Sequence, residues 1–249
     1  MKSFATLYEA ISEIERDLSR ADQVSVTRVQ QQTNLNIRAR ELLNYSYQIA
    51  GGIPQASLEL VEIGMKHFSF FKEMDAMEWE NWLDAEFFQR ITTDASQYSD
   101  SPSDFHPALV HCREGDGFSY TYPEIMSGAF EAIRAALVHN PDTRRAYYPF
   151  FKDHHGYRAS NPTRIPCSLG YQAFIRTIPG LGPHLLLLYS QRSSDFDRFW
   201  LSDVWFARAW QMQLLDSLQG EDHFKDLKAG PLMHSIHSLH SFIDDEEIY

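Results

Sequence analysis

The sequence predicts an α+β fold in which helices and strands are mixed without βαβ alternation. Residues 4–20, 125–138 and 202–218 carry apolar side chains at helical spacing. Segments 170–178 (GYQAFIRTI) and 184–190 (HLLLLYS) read as strands. The two kinds of element do not follow one another in the regular rhythm that a doubly wound parallel sheet requires.

Each element has its own signal. In residues 4–20, Phe4, Leu7, Ile11, Ile14 and Leu18 line one helical face, with charges between them. AGGIP (50–54) breaks the chain, and a second apolar segment runs from Leu58 to Phe71. Residues 93–120 are rich in Ser, Asp, Pro and Gly and read as a long surface loop. Helical spacing returns with Ile125, Phe130, Ile133 and Leu137 and stops at the turn signal His139-Asn140-Pro141-Asp142. AYYPFF (146–151) is a strand weakened by Pro149, which cannot donate to a ladder. SDVWFARAWQMQLLDSL (202–218) is apolar almost all round, as a buried helix is. With 249 residues and 43% hydrophobic content, the chain is long enough to bury a sizeable core as one domain or two intimate ones.

The formal charge of −12 argues against a nucleic-acid or anionic-membrane binder, whose partner needs a basic face. An anionic ligand must then be held by a local arginine cluster. Two cysteines, Cys112 and Cys167, do not make a disulfide framework. There is no membrane-length apolar run and no signal-peptide core at the start, so a cytoplasmic protein is expected.

Two segments suit an anion. NPDTRR places Arg144 and Arg145 after a turn and before a strand; QRSSD places Arg192 beside Ser193 just after one. Planar guanidinium donors match phosphate oxygens and stay charged. Surface arginines that merely pair with nearby acids would look the same. Cys167, in RIPCSLGYQAF, is either a small buried apolar residue or a nucleophile. Cys112, in HCREG, has no comparable context.

Taken together these segments resemble the thymidylate synthase family. NPDTRR is similar to its Asn-Asp-Pro-Asp-Ser-Arg-Arg phosphate segment, PCSLGYQ to its Pro-Cys-His-x-x-x-Gln nucleophile segment, and QRSSD to its Gln-Arg-Ser-x-Asp segment. HSIHSLHSF (234–242) resembles its strand ending in His-x-Tyr, and all four occur in the family's order over residues 125–242. The resemblance implies that residues 1–249 are a single domain built on a mixed β-sheet with flanking helices, the sheets of two subunits packed back to back in a homodimer with shared active sites. It implies that Cys167 adds to C6 of a pyrimidine nucleoside monophosphate and that Arg192 and Ser193 hold the 5′-phosphate. Arg144 and Arg145 then reach the phosphate from the other subunit, Gln191 supports the site, Asp195 contacts the base through its main chain, and His240 contacts the sugar. Arg28, in SVTRVQ, stands for the N-terminal phosphate arginine. Trp79 and Trp82, in MEWENW, resemble the tryptophan segment beside the folate. The co-substrate implied is 5,10-methylenetetrahydrofolate.

Asp203 falls where thymidylate synthases carry the asparagine that reads uracil. An amide both donates and accepts; an ionised carboxylate only accepts, which suits the 4-amino group of cytosine. Asp203 and Ser168, which replaces the histidine after the nucleophile, resemble the deoxycytidylate hydroxymethylase branch. Asp203 also fits an N-cap of the 203–218 helix, since Ser-Asp before an apolar run is a capping signal. The implied reaction is C5 hydroxymethylation of CMP or dCMP. Its alternatives are C5 methylation of the same or a uridine nucleotide, or a retired nucleotide-binding homologue. The water-positioning glutamate is assigned to Glu59, with Glu62 as the other candidate.

Two features depart from the family. Phe242 replaces a tyrosine, which leaves ribose against deoxyribose open, and the segment after it is short. His234, His237 and His240 repeat every third residue, but a strand sends them to different faces and no fourth ligand is evident, so no metal is expected.

Overall fold

The computed structural model describes residues 1–27, 36–68, 122–151 and 166–243. Arg28, Trp79, Trp82, Cys112 and the 93–120 loop lie outside these residues. The strands are β1 (Lys2–Phe4), β2 (Gln23–Thr27), β3 (Asn36–Ile49), β4 (Tyr147–Pro149), β5 (Ser168–Ile178), β6 (Gly182–Gln191), β7 (Ser194–Asp195) and β8 (Lys228–Phe242). The described α-helices are α1 (Leu7–Arg20), α2 (Ser57–His67), α3 (Tyr122–His139) and α4 (Trp200–Gln219). The strands form one mixed sheet in the order β1-β3-β8-β6-β5-β4, with β2 paired to β3 and β7 to β8. β1 runs parallel to β3, and β6 and β7 run parallel to β8; the remaining pairs are antiparallel.

α1 starts where Thr6 accepts a hydrogen bond from the Glu9 amide, while the Glu9 carboxylate returns to the Ala5 amide at 2.7 Å. This reciprocal pairing satisfies two amides that the first turn leaves open. Phe4 therefore belongs to β1 rather than to the helix that its spacing predicts, although it is buried with the helix face. α3 and α4 cover the predicted 125–138 and 202–218 segments and extend beyond both. β4 is an edge strand, where Pro149 leaves no central ladder bond missing.

One face of the sheet carries the core. Tyr47, Tyr171, Ala173, Leu185, Leu187, Tyr189, Leu232 and Ile236 are buried there, in one continuous cluster with residues of all four helices. α4 is fastened to this face at the irregularity between Leu185 and Leu187 where β6 meets β8. The Gln211 amide donates to the Leu185 carbonyl at 2.7 Å and to the Gly230 carbonyl at 3.3 Å. Carbonyls that the shifted ladder would strand are thereby satisfied. On the opposite face Phe174, Leu186, Leu188 and Met233 alternate with core residues, are half-buried and lie outside the core cluster. No described helix is long and apolar enough to cross a membrane.

Candidate active site

The start of β5, the end of β6 and the second half of β8 meet at one end of the sheet. The Arg192 amide donates to the Cys167 carbonyl at 2.8 Å, and the Ser238 amide to the Arg192 carbonyl at 3.1 Å, so backbone alone holds the segment carrying Arg192 against the segment carrying Cys167. The Arg192 guanidinium then bonds in three directions: Nε to the Pro166 carbonyl at 3.0 Å, Nη1 to Ser193 Oγ at 3.1 Å and Nη2 to Cys167 Sγ at 3.5 Å. Ser193 Oγ also reaches Cys167 Sγ at 3.5 Å. Two donors, one of them cationic, converge on a half-buried sulfur, as negative charge there would require.

Behind the cysteine, Ser168 is buried and hydrogen-bonds the Tyr189 hydroxyl. Tyr189 stacks on His234 with ring centroids 4.5 Å apart and 12° between planes.

Asp203 lies in the first turn of α4, but it does not cap that helix. The helix begins at Trp200, after Phe199, and the Asp203 amide already donates to the Phe199 carbonyl at 2.9 Å. The N-cap alternative is therefore overturned: apolar residues upstream of Ser202 extend the helix by a turn and place Asp203 inside it. Its carboxylate accepts from Gln191 Nε2 at 2.7 Å. Burial pushes its pKa up to about 7; Gln191 and the nearby Ser194 hydroxyl pull the other way. Ser194 is close enough for that pull but falls short of hydrogen-bonding geometry.

From Gln191 a chain of polar groups runs inward. Gln191 Oε1 lies 2.8 Å from His234 Nε2, His234 Nδ1 2.7 Å from the Tyr47 hydroxyl, and Trp200 Nε1 donates to Tyr47 at 2.7 Å. His234 is buried, and burial lowers its pKa to about 3, so its ring is neutral at ordinary pH. The sequence offers no signal for this chain: Tyr47 and His234 lie 187 residues apart, and His234 is visible only as one of three spaced histidines.

The remaining residues are placed as follows. Asp195 is buried on β7 opposite His240, and its Oδ2 lies 3.9 Å from Arg198. His240 is half-buried against Phe242, with centroids 4.9 Å apart. Of the three spaced histidines, His234 is buried, His237 exposed and His240 half-buried; among the described residues no group of acids, histidines and cysteines is disposed to hold a metal. Arg144 and Arg145 are exposed after α3, with Gln172 of the sheet's opposite face donating to the Arg144 carbonyl at 2.9 Å. Glu59 and Glu62 are exposed on α2, and no described contact joins either to Cys167 or Asp203.

The mixed sheet with its flanking helices is a thymidylate-synthase-like α+β fold. Among solved structures, thermostable thymidylate synthase A from Bacillus subtilis is similar to it with a TM-score of 0.56 and 13% sequence identity, over 97% of this chain and 80% of that one. No family model and no curated protein matches the sequence.

Proposed function

We propose that this chain is a pyrimidine nucleotide C5 one-carbon transferase that hydroxymethylates CMP or dCMP. The observation that carries this is the convergence of Arg192 and Ser193 on the Cys167 sulfur, on a fold like that of thymidylate synthase. C5 of a pyrimidine is too weak a nucleophile to take up a one-carbon unit unaided. The Cys167 thiolate adds to C6, which makes C5 enamine-like, and the same sulfur leaves once C5 is substituted and its proton lost. Arg192 and Ser193 grip the 5′-phosphate, joined by Arg144 and Arg145 of a second subunit docked on the sheet face opposite the core. The presence of Gln172 on that face, beneath the Arg144 carbonyl, supports this sharing. His240 and Asp195 line the sugar and base.

Asp203 reads the base. As thiolate adds at C6, N3 gains basicity, and a carboxylate beside it accepts from the 4-amino group and from a protonated N3, a contact strongest near the transition state. A carboxyl poised near neutrality is able to deliver that N3 proton as well as accept the bond back.

The C6 nucleophile suits a folate-borne one-carbon donor, because only an activated C5 attacks it; Trp79 and Trp82, which would stack on its pterin, lie outside the described residues. When bound, 5,10-methylenetetrahydrofolate supplies carbon at the oxidation level of formaldehyde. Glu59 is assigned to the water that completes the hydroxymethyl group, and Arg28 to the phosphate.

The test is incubation with CMP, dCMP, UMP and dUMP in the presence of methylenetetrahydrofolate, with products identified by mass. A cytidine nucleotide heavier by CH2O is the expected result. Gain of CH2 would make the enzyme a methyltransferase. Binding without exchange of the C5 hydrogen would make it a retired homologue.

A further inference from the structure

We infer that Tyr47 and His234 are positioning residues for Asp203, locking the Gln191 amide with its nitrogen toward the carboxylate. The polarity of the chain follows from its ends. An indole N–H only donates, so the Tyr47 oxygen accepts from Trp200. An ionised Asp203 only accepts, so Gln191 Nε2 faces it and Gln191 Oε1 is left for His234. His234 must then carry its proton on Nε2, and Nδ1 takes the proton of Tyr47 at 2.7 Å. Every donor in the four bonds points toward Asp203, and bonds aligned in this way strengthen one another. The opposite polarity requires a rotated Gln191 and a proton on Asp203 donated to it.

Strand register builds this arrangement. Tyr47 and Tyr189 both lie directly across from His234, on β3 and β6 respectively. Tyr189 stacks on the imidazole and fixes its plane, while Tyr47 fixes its tautomer. Asp203 is met directly by the Gln191 amide and lies near the Ser194 hydroxyl of β7, while His234 and Tyr47, both buried, are linked to it through Gln191.

The consequence for base choice rests on the proposed function. With Gln191 locked, Asp203 presents an acceptor and suits the 4-amino group of cytosine. With the amide released, a protonated Asp203 is able to donate and suits O4 of uracil.

The experiment uses the full chain with 15N-labelled histidine and 13C-labelled aspartate. At pH 8 His234 is expected as the Nε2–H tautomer by its 15N shifts. Tyr47→Phe, which deletes one hydroxyl from a buried site, is expected to loosen that tautomer preference and move the Asp203 titration midpoint; His234→Gln provides a second variant. In calorimetric titrations with CMP and UMP, the cytosine-over-uracil preference of Tyr47→Phe should fall about tenfold. An Nδ1–H tautomer in the wild type overturns the inference. So does a folded Tyr47→Phe protein that melts earlier yet keeps the Asp203 midpoint and the base preference, since a purely structural role would produce that pattern. If Tyr47→Phe and His234→Gln both fail to fold, the wild-type tautomer decides. If the wild type binds no pyrimidine nucleotide, the proposed function falls and the tautomer and titration still judge the positioning role.

Discussion

Gln191 and Asp203 join the end of β6 to the first turn of α4 through a 2.7 Å hydrogen bond. That bond fastens the carboxyl of half-buried Asp203 to a strand whose next residue, Arg192, contacts the nucleophile candidate. The Asp203 carboxyl and the Cys167 sulfur are therefore both tied to one stretch of backbone, and a shift in β6 moves both.

The first prediction concerns acid and base stability. Asp203 titrates near 3.8 in the unfolded chain and near 7 when folded. The native state thus holds an extra proton between those values, and the contribution is fully present below 3.8 and lost as pH rises through about 7. His234 acts oppositely: its folded value of about 3 lies below its ordinary 6.5, so it costs stability as pH falls from 6.5 toward 3. In the wild type the two slopes oppose each other. Asp203→Asn keeps an acceptor for Gln191 and removes one slope. Its stability relative to wild type should rise between pH 4 and 7, by at most ~1.4 kcal/mol per pH unit. Urea unfolding at several pH values measures this; a pH-independent difference would refute the burial of a titrating carboxyl.

The second concerns the sulfur. Arg192 satisfies the Pro166 carbonyl, Ser193 Oγ and Cys167 Sγ with three different nitrogens, which one lysine ammonium on a flexible stem does not reproduce. Arg192→Lys should slow alkylation of Cys167 by iodoacetamide about tenfold, the loss of one charge-assisted hydrogen bond. Peptide mapping separates Cys167 from Cys112. Cys167→Ser should retain nucleotide binding and lose turnover. An Arg192→Lys protein alkylated at the wild-type rate would show that the guanidinium does not act on the sulfur.

The parts of the molecule that follow one period were legible in the sequence, and those that depend on distant pairing were not. The helical face of Leu7, Ile11, Ile14 and Leu18 and the strands on either side of Leu181 announce themselves through local spacing. β3 does not: NIRARELLNYSYQI mixes Arg38, Arg40 and Glu41 with apolar residues, and its burial comes from pairing with β8, nearly two hundred residues away. Because β3 was hidden, so was Tyr47 as a partner of His234. Asp203 stands out by its place relative to QRSSD, with a cap as the alternative because Ser-Asp precedes an apolar run; the helix starting earlier, at Trp200, removes that alternative. Cys167 and Arg192 are singled out as candidates by their flanking residues, whereas their contact is a tertiary fact.

The third prediction tests how β4 is held. The Gly170 position follows an irregularity in the β5–β6 pairing and sits against β4, where an added Cβ would lie 2.5 Å from the Tyr148 carbonyl oxygen. That neighbour is backbone and cannot swing aside. Gly170→Ala should cost about 1–3 kcal/mol, as overpacking does. The strain falls on the strand that follows Arg144 and Arg145, so phosphate affinity should decline as well. A protein with wild-type melting temperature would mean that β4 is not seated as described.

The fourth addresses the sheet face opposite the core. Phe174, Leu186, Leu188 and Met233 form a half-buried apolar row outside the core cluster, and the proposed second subunit docks on this row. A second copy docked there would bring its arginines toward this chain's Cys167, which lies at the end of the same sheet. Leu188→Glu places a charge in the row without touching Cys167, Arg192 or Asp203. The expected outcome is a halved mass by light scattering, retained helical circular dichroism, and loss of nucleotide binding because the partner's arginines are gone. Mixing inactive Cys167→Ser chains with inactive chains mutated at both Arg144 and Arg145 should restore activity, since one site in each mixed dimer keeps both an intact sulfur and intact arginines. A Leu188→Glu protein that binds nucleotide as a monomer, together with failure of the mixing experiment, would assign Arg144 and Arg145 to the surface rather than to a shared site.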